Sequence, residues 1–355
     1  MVLPFGVRSA PYSFTCIADL VEWVAKQNYD VTFLMHYLGD FHILGPPGSS
    51  VCQHNVDRSI DCFSKLGIPL HPDKLEGPSM CLTILGIELD SLNLLARLPR
   101  DKLDRMTALL EDWSQKRWCK RKELESLIGH FQHACKVVPQ GRSFLRRMIN
   151  LLCAFRRDDH PIRLHQEFFL DLAKWQEFFQ SWNGCNFLQY PQWAPLSDFE
   201  VSSDASGALG YGAVFQGHRF SSAWLPTQVS QSIQYKEIFP IVVAAYLWGP
   251  QWASKQVNFL SDNRSVVDIL RSGTSRAPTM MSLVRYLSLL AARHSFSFTA
   301  SPVTGKFNPI VDSLSGFQFQ RFRCLAPHAD SIPTQIPQQL LSVLELRCEI
   351  NATSI

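Results

Sequence analysis

The second half of the chain carries strand-like and helical segments in an order that few folds accommodate. Three strand-like segments come first, then a helix, a fourth strand, two helices, a fifth strand and a last helix. The predicted segments with distinct bounds are Phe199 to Ser203, Leu209 to Phe215, Phe220 to Leu225, Tyr235 to Trp248, Gln256 to Ser261, Ser295 to Ser301 and Pro309 to Leu314. This β-β-β-α-β-α-α-β-α order indicates an α/β domain.

The first half has a different pattern. Up to about residue 98, short apolar runs alternate with turn signals, which predicts part of an α+β sheet domain. Helical spacing then predicts three amphipathic helices between Asp101 and Phe155, followed by a helix over Gln166 to Trp182. Prolines at 191 and 195 favour an extended linker, so we expect a multi-domain chain with segments at 1–98, 99–165, 166–197, 198–318 and 319–355.

The apolar runs of the sequence are too short to predict a membrane-spanning helix. The longest uninterrupted apolar run, around Ile241 to Trp248, is far shorter than the ~20 residues that cross a bilayer. The N-terminus also lacks the basic-then-apolar pattern of a secretory signal. We therefore expect an intracellular protein without a membrane partner, although the sequence does not distinguish nucleus from cytoplasm.

Basic residues are concentrated in one segment. Between Arg100 and Arg163 there are 15 Lys or Arg and 8 Asp or Glu, a local charge of +7 in a chain whose net charge is +3. Such a segment can lie against a phosphate backbone, and it can equally be a solvated helical surface. The candidate phosphate-binding residues are Lys116, Arg117, Lys120, Arg121, Lys122, Arg142, Arg146 and Arg147.

Four acidic residues occupy suggestive places in the C-terminal order. Asp204 and Asp262 end the first and fourth strands, Glu237 lies early in a helix, and Asp312 lies in the last helix. If the two strands are neighbours, their acids face one cleft, where repulsion requires neutralising cations. Oxygen ligands select Mg²⁺ or Mn²⁺, and two such ions about 3.5 to 4 Å apart suit phosphodiester hydrolysis. On spacing alone, however, solvated surface acids remain the alternative.

These residues lie in motifs that resemble the ribonuclease H domain of retroelements. The motifs are Ser203-Asp204-Ala205-Ser206, Gly210-Tyr211-Gly212-Ala213-Val214-Phe215, Tyr235-Lys236-Glu237, Ser261-Asp262-Asn263 and Asp312-Ser313-Leu314-Ser315. More narrowly, the chain is similar to the reverse transcriptase and ribonuclease H region of DIRS-like retrotransposons. The resemblance implies a partial palm (1–98), a helical thumb (99–165), a connection (166–197), a ribonuclease H-like mixed five-stranded sheet with flanking helices (198–318) and a tail.

The resemblance also implies a function and its partners. Asp204, Glu237, Asp262 and Asp312 correspond to the four acids that hold two Mg²⁺ or Mn²⁺ ions in the family. The implied substrate is an RNA/DNA hybrid, and an intact reverse-transcriptase subunit is a further candidate partner. Two positions depart from the family pattern, since Pro302 stands near a usual histidine and Gly316 stands where Leu-Ser is usually followed by arginine.

A polymerase motif is present in degenerate form. Tyr37-Leu38-Gly39-Asp40 resembles the Tyr-x-Asp-Asp hairpin, with Gly39 in place of the first aspartate. Polymerisation needs two carboxylates around two Mg²⁺ ions, and the family's other one lies upstream of a segment matched here by Leu3-Pro4-Phe5-Gly6. We therefore expect no DNA synthesis by this sequence.

Three functions remain open from the sequence. The first is metal-dependent cleavage of the RNA strand of a hybrid, for which the four acids argue. The second is a catalytically inactive remnant that binds nucleic acid, for which Gly39, Pro302 and Gly316 argue. The third is a structural or protein-binding role of the Leu-rich run at Leu340 to Leu346, which no motif supports.

Overall fold

The chain divides into two units in the computed structural model, which describes residues 7–182, 186–187, 199–304, 308–342 and 344. Met1–Leu82 with Asp90–Leu92 form the first unit, and Thr83–Leu89 with Asn93–Ile355 form the second. The first unit contains helix α1 (Ala10–Asn28), hairpin strands β1 (Leu34–Tyr37) and β2 (Asp40–Ile43), and helix α2 (Val51–Lys65). Its small core includes Val21, Ala25, Leu34 and Phe63, so strands and helices mix here as predicted.

Four helices between Arg100 and Trp182, called the helical segment below, lie in the first part of the second unit. Its apolar residues recur at helical spacing, and they pack around Trp175, which stacks on Phe131 with ring centroids 4.5 Å apart. The prediction of a helix over Gln166 to Trp182 is confirmed at both ends. The elements from residue 81 to 187 are β3 (Cys81–Ile84), β4 (Ile87–Asp90), β5 (Leu95–Arg97), α3 (Arg100–Gln115), β6 (Trp118–Cys119), α4 (Arg121–Ala134), α5 (Arg146–Leu152), β7 (Ile162–Arg163), α6 (Gln166–Trp182) and β8 (Asn186–Phe187).

The five-stranded sheet predicted for the C-terminal part is present. It has the order β11-β10-β9-β12-β13, in which β9 to β11 are antiparallel and β12 is parallel to both β9 and β13. The elements of this part are β9 (Glu200–Ala205), β10 (Gly210–Phe215), β11 (His218–Ala223), α7 (Pro226–Val229), α8 (Ile233–Trp248), β12 (Gln256–Ser261), α9 (Arg264–Ser272), α10 (Pro278–Arg293), β13 (Ser297–Pro302), α11 (Pro309–Ser315) and α12 (Phe319–Leu325).

The core of this sheet domain explains the long apolar run in the sequence. Helix α8 is apolar around its whole circumference, and residues such as Ile238, Phe239 and Val242 have no exposed surface. A helix of this kind belongs inside a protein, and α8 lies against β9 and β10 on one side and α10 on another. It therefore carries its one acidic residue, Glu237, into the interior.

One strand begins earlier than predicted. The prediction placed the third strand from Phe220, whereas β11 begins at His218 because Gln216 and Gly217 form a two-residue hairpin turn with positive φ angles of 47° and 88°. Such a turn pairs Phe215 with His218 directly, and glycine suits its second position. The helices α7 and α12 were not predicted.

The residues after 318 contact the sheet domain. Arg219 of β11 donates hydrogen bonds to the carbonyl oxygens of Asp330 and Ser331, at 2.9 and 2.8 Å. Leu340, Leu341 and Leu344 are buried in the domain's core, and residues 343, 345 and 346 of the predicted Leu-rich run lie outside the described residues. The predicted linker at 190–195 also lies outside them.

Within the second unit, the helical segment and the domain of the five-stranded sheet share a polar interface. Asp171 of α6 is 1% exposed, and its Oδ1 lies 2.9 Å from Nη1 of Arg147 in α5 and 3.6 Å from Nε of Arg285 in α10. Ser143 Oγ lies 2.8 Å from Ser288 Oγ in the same region.

Among the described helices, none combines the length and apolar character needed to cross a bilayer.

Candidate functional site

Two neighbouring strands bring Asp204 and Asp262 together. Strand β12 pairs in parallel with β9, with Asn258 opposite Glu200 and Leu260 opposite Ser202. The same register continued by two residues sets Asp262, directly after β12, opposite Asp204. Parallel pairing therefore places both acids at the same end of the sheet, as the sequence predicted. Residues paired in this register also share a face of the sheet.

Helix α8 supplies the third acid. Ser232 caps this helix by accepting a hydrogen bond from the backbone N–H of Tyr235, and Glu237 follows in the next turn. One carboxylate oxygen from each of Asp204, Glu237 and Asp262 lies within 4.8 Å of the other two. Among the residues that the structure describes, this is the one group of three or more acidic, histidine or cysteine side chains placed to share a metal ion.

The buried acid of the three is Glu237, which is 5% exposed. Within the described part of the chain, no hydrogen-bond donor reaches its Oε2. Burial, together with the nearby charges of Asp204 and Asp262, raises the pKa of Glu237 to about 9. A buried carboxyl group that has an unpartnered oxygen and lies beside two more carboxylates fits a position that a divalent cation would fill.

Asp204 is held by a serine from a different element. The hydroxyl of Ser315, at the end of α11, donates a hydrogen bond to Asp204 Oδ2. Burial raises the pKa of Asp204, the Ser315 hydrogen bond opposes that rise, and Asp262 and Asp312 add to it. Ser315 therefore favours the ionised form of Asp204 and orients it.

Asp312, the fourth predicted acid, lies apart from the group of three. It is exposed on α11, where its Oδ2 forms an ion pair with Arg321 Nη1 at 3.2 Å. It nevertheless lines the same cavity, an open depression of about 860 Å³. That cavity is lined by Asp204, Ala205, Ser206, Leu209, Ile233, Glu237, Asp262, Asn263, Arg264, Asp312, Ser315, Gly316 and Gln318.

The site chemistry favours a hard divalent cation. Asp204, Glu237 and Asp262 could hold a metal ion, and their oxygen ligands suit Mg²⁺ or Mn²⁺ better than zinc. The cavity is open on one side and is larger than a phosphate group. Ser315 and Arg321 were not singled out from the sequence, although Ser315 lies in the motif that follows Asp312.

Pro302 lies at the same end of the sheet. It ends β13 opposite Ser261, so it is adjacent to the strand end that precedes Asp262. Gly316 lines the cavity and directly follows Ser315. Both departures from the family pattern therefore lie close to the acids.

The segment Tyr37-Leu38-Gly39-Asp40, which the sequence analysis compared with a polymerase hairpin, lies in the first unit. Tyr37 pairs with Asp40 across the two-residue turn Leu38-Gly39, so the predicted hairpin is present. Leu38 has a positive φ angle of 52°, and the side chains of Tyr37 and Asp40 are exposed. The expected absence of polymerisation stays a prediction.

The eight candidate phosphate-binding residues differ in their partners. Arg117, Lys120, Lys122 and Arg142 are exposed. Lys116 pairs with Asp112 and Glu123, and Arg121 pairs with Glu125 and Asp158. Arg147 contacts Glu167 and Asp171, and Arg146 has a buried Nε without a described partner. The role of all eight in binding nucleic acid stays a prediction.

Comparison with known proteins gives structural likeness only. No protein-family model matches the chain, and no curated protein matches it. Among solved structures, it is similar to the foamy viral protease-reverse transcriptase dRH in complex with ds DNA, with a TM-score of 0.43 and 15% identity over 83% of this chain and 49% of that one.

Two further structures of the foamy viral protease-reverse transcriptase are similar. The complex with RNA/DNA hybrid has a TM-score of 0.40 and 15% identity over 84% of this chain and 38% of that one. The complex with dsDNA has a TM-score of 0.42 and 16% identity over 84% and 60%. The chain thus spans less than two thirds of each of these three proteins.

Proposed function

We propose that the chain is a metal-dependent endonuclease that cuts the RNA strand of RNA/DNA hybrids. The observation that carries this proposal is the convergence of Asp204, Glu237 and Asp262 within 4.8 Å in an open cavity. Surface acids rarely include a member as buried as Glu237. Burying a carboxyl oxygen without a hydrogen-bond partner costs free energy, and groups with such perturbed environments cluster at functional sites.

Two ions would be held by the four predicted acids, with Asp312 contributing to the more exposed position. Mg²⁺ or Mn²⁺ bound there would supply charge stabilisation for an in-line attack of water on a phosphodiester. Glu237 has to lose its proton before it can serve as a ligand, because its pKa is about 9 without a cation. Ser315 keeps Asp204 oriented toward the cavity.

The protein would recognise the hybrid by its helical shape and by its sugar-phosphate backbone. The 2′-hydroxyl distinguishes an RNA strand from a DNA strand, and a hybrid has a partly A-like form. The exposed Arg117, Lys120 and Lys122 of the helical segment are available for phosphate contacts. Binding through such contacts would be independent of base sequence and sensitive to salt.

A second candidate function is binding of nucleic acid without cleavage. The specific observation in its favour is that Asp312 is paired with Arg321 and lies outside the group of three acids. Under this alternative the chain would bind the hybrid in the presence of Mg²⁺ and leave it intact.

The deciding experiment is cleavage of an end-labelled RNA/DNA hybrid with Mg²⁺ or Mn²⁺, beside duplex DNA as a second substrate. We expect the RNA strand alone to be cut, and Asp204→Asn to abolish the cutting. Asp268→Asn is the matched control, because Asp268 is an exposed acid of α9 that does not line the cavity. Binding of the hybrid without any cutting would favour the second candidate.

A further inference from the structure

Arg321 sits at an unusual place for a basic residue. It follows the site on α12, and its Nη1 donates both to Asp312 Oδ2 at 3.2 Å and to Gln318 Oε1 at 2.9 Å. Asp312 and Gln318 both line the acidic cavity. The guanidinium therefore stands at the rim of a cavity that carries four carboxylates.

The ion pair engages one carboxylate oxygen of Asp312, a predicted metal ligand. Asp312 is the one predicted ligand outside the group of three, and Arg321 is what holds its Oδ2. A guanidinium and a divalent cation compete for the same carboxylate oxygen because both are attracted by its charge. The pair is also half exposed, with 48% of the arginine side chain and 57% of the aspartate side chain accessible, so it can exchange partners readily.

Arg321 has donors to spare. A guanidinium carries five N–H donors in a planar fork, and only Nη1 is engaged by residues within the described ranges. That fork matches a phosphate group, to which arginine binds through two parallel hydrogen bonds. The neighbouring Arg323 has no such freedom, because its two Nη atoms donate to the carbonyl oxygens of Ala329, Asp330 and Ser331.

We propose that Arg321 is a positioning residue that exchanges Asp312 for a phosphate of the bound strand and thereby frees Asp312 for the second metal ion. This inference rests on the proposed function, since it assigns a substrate phosphate and a cation to the same cavity. In the free protein Arg321 neutralises Asp312. In the complex it contacts the nucleic acid, so substrate binding completes the metal centre.

The test uses Arg321→Ala and two binding measurements that do not require cleavage. Mn²⁺ affinity is measured by calorimetry without nucleic acid, and we expect it to rise about two- to fivefold at the weaker site, the range set by losing an exposed ion pair. Hybrid affinity is measured by fluorescence anisotropy in EDTA over a range of salt concentrations. There we expect the slope of log affinity against log salt to shrink by about one, the value of one phosphate contact.

Controls separate exchange from a structural effect. Arg321→Lys retains the charge and is expected to preserve most of the salt slope. Arg276→Ala removes an exposed arginine that does not line the cavity, and neither quantity should change. Unchanged Mn²⁺ affinity or an unchanged salt slope in Arg321→Ala overturns the exchange, even if the parent protein cleaves hybrids. If Arg321→Ala shows both shifts but the parent protein never cleaves hybrids, the exchange is supported and the proposed nuclease activity is refuted.

Discussion

Replacing Glu237 with glutamine should stabilise the metal-free protein at neutral pH. Without a cation, burial and the charges of Asp204 and Asp262 raise the pKa of Glu237 from 4.5 to about 9. At pH 7 the folded protein therefore keeps a proton that the unfolded chain has released. Each pKa unit corresponds to about 1.4 kcal/mol, so the roughly 2.5 units between 4.5 and pH 7 cost the folded state about 3 kcal/mol. Glutamine removes that cost, and its amide can donate to the neighbouring carboxylates.

The sign of the pH dependence follows from the proton count. Between about pH 4.5 and pH 9 the folded state binds one more proton than the unfolded state, so this group makes stability fall as pH rises. The advantage of Glu237→Gln should thus be small at pH 4.5 and grow toward pH 8. Urea unfolding in EDTA at several pH values measures this difference in the free energy of unfolding. Asp268→Asn, which changes an exposed acid, is the matched control.

Divalent cations should cancel most of this difference. The parent gains about 2.7 kcal/mol when the cation is present at 100 times its Kd, whereas Glu237→Gln has lost a ligand and gains much less. A stability difference between parent and variant that is the same at all pH values would refute the reasoning, because the cost assigned to Glu237 is a cost of protonation.

Three further changes test other parts of the structure. Ser315→Ala should shift the pH profile of cleavage upward and weaken Mn²⁺ binding, because Asp204 loses the hydroxyl that favours its ionised form, while Ser315→Thr should restore both. Asp171→Ala should lower the free energy of unfolding by about 3 to 5 kcal/mol in urea titrations, because Arg147 and Arg285 lose a buried partner; a loss under 1 kcal/mol would contradict this. Gly212→Ala should cost about 1 to 3 kcal/mol and slow cleavage, since its Cβ would lie 2.8 Å from Leu314 Cβ and 3.0 Å from Phe220 O. Gly207→Ala is its control, because nothing lies within 4 Å of the added Cβ.

The meeting of the acids could be predicted from the sequence because the strand order permits the two strands that carry Asp204 and Asp262 to be neighbours. Asp204 and Asp262 follow two strands that a β-β-β-α-β order allows to be neighbours, and parallel pairing of β9 with β12 then aligns their ends. The position of Glu237 follows from an apolar helix that has to pack on that sheet. Strand and helix order therefore accounts for the meeting of three of the four acids, whereas the choice of these acids over ordinary surface acids came from the motifs that resemble the ribonuclease H domain of retroelements.

The residues that organise those acids could not be predicted, because nothing local identifies them. Ser315 and Arg321 act through contacts with Asp204 and Asp312 that depend on how α11 and α12 pack after the sheet has formed. The same holds for Asp171, whose arginine partners come from helices far apart in the sequence. Serine, arginine and aspartate at such positions are ordinary surface residues by composition alone.

The difference between three converging acids and four predicted ones bears on how two ions would bind. Asp204, Glu237 and Asp262 already form a group within 4.8 Å, so these three acids could hold a first cation once Glu237 has lost its proton. A second cation needs Asp312, which is paired with Arg321. The two positions should therefore differ in affinity, and the weaker one should depend on whatever draws Arg321 away. A phosphate is the group in the proposed substrate that can do so, and it arrives only with the strand to be cut.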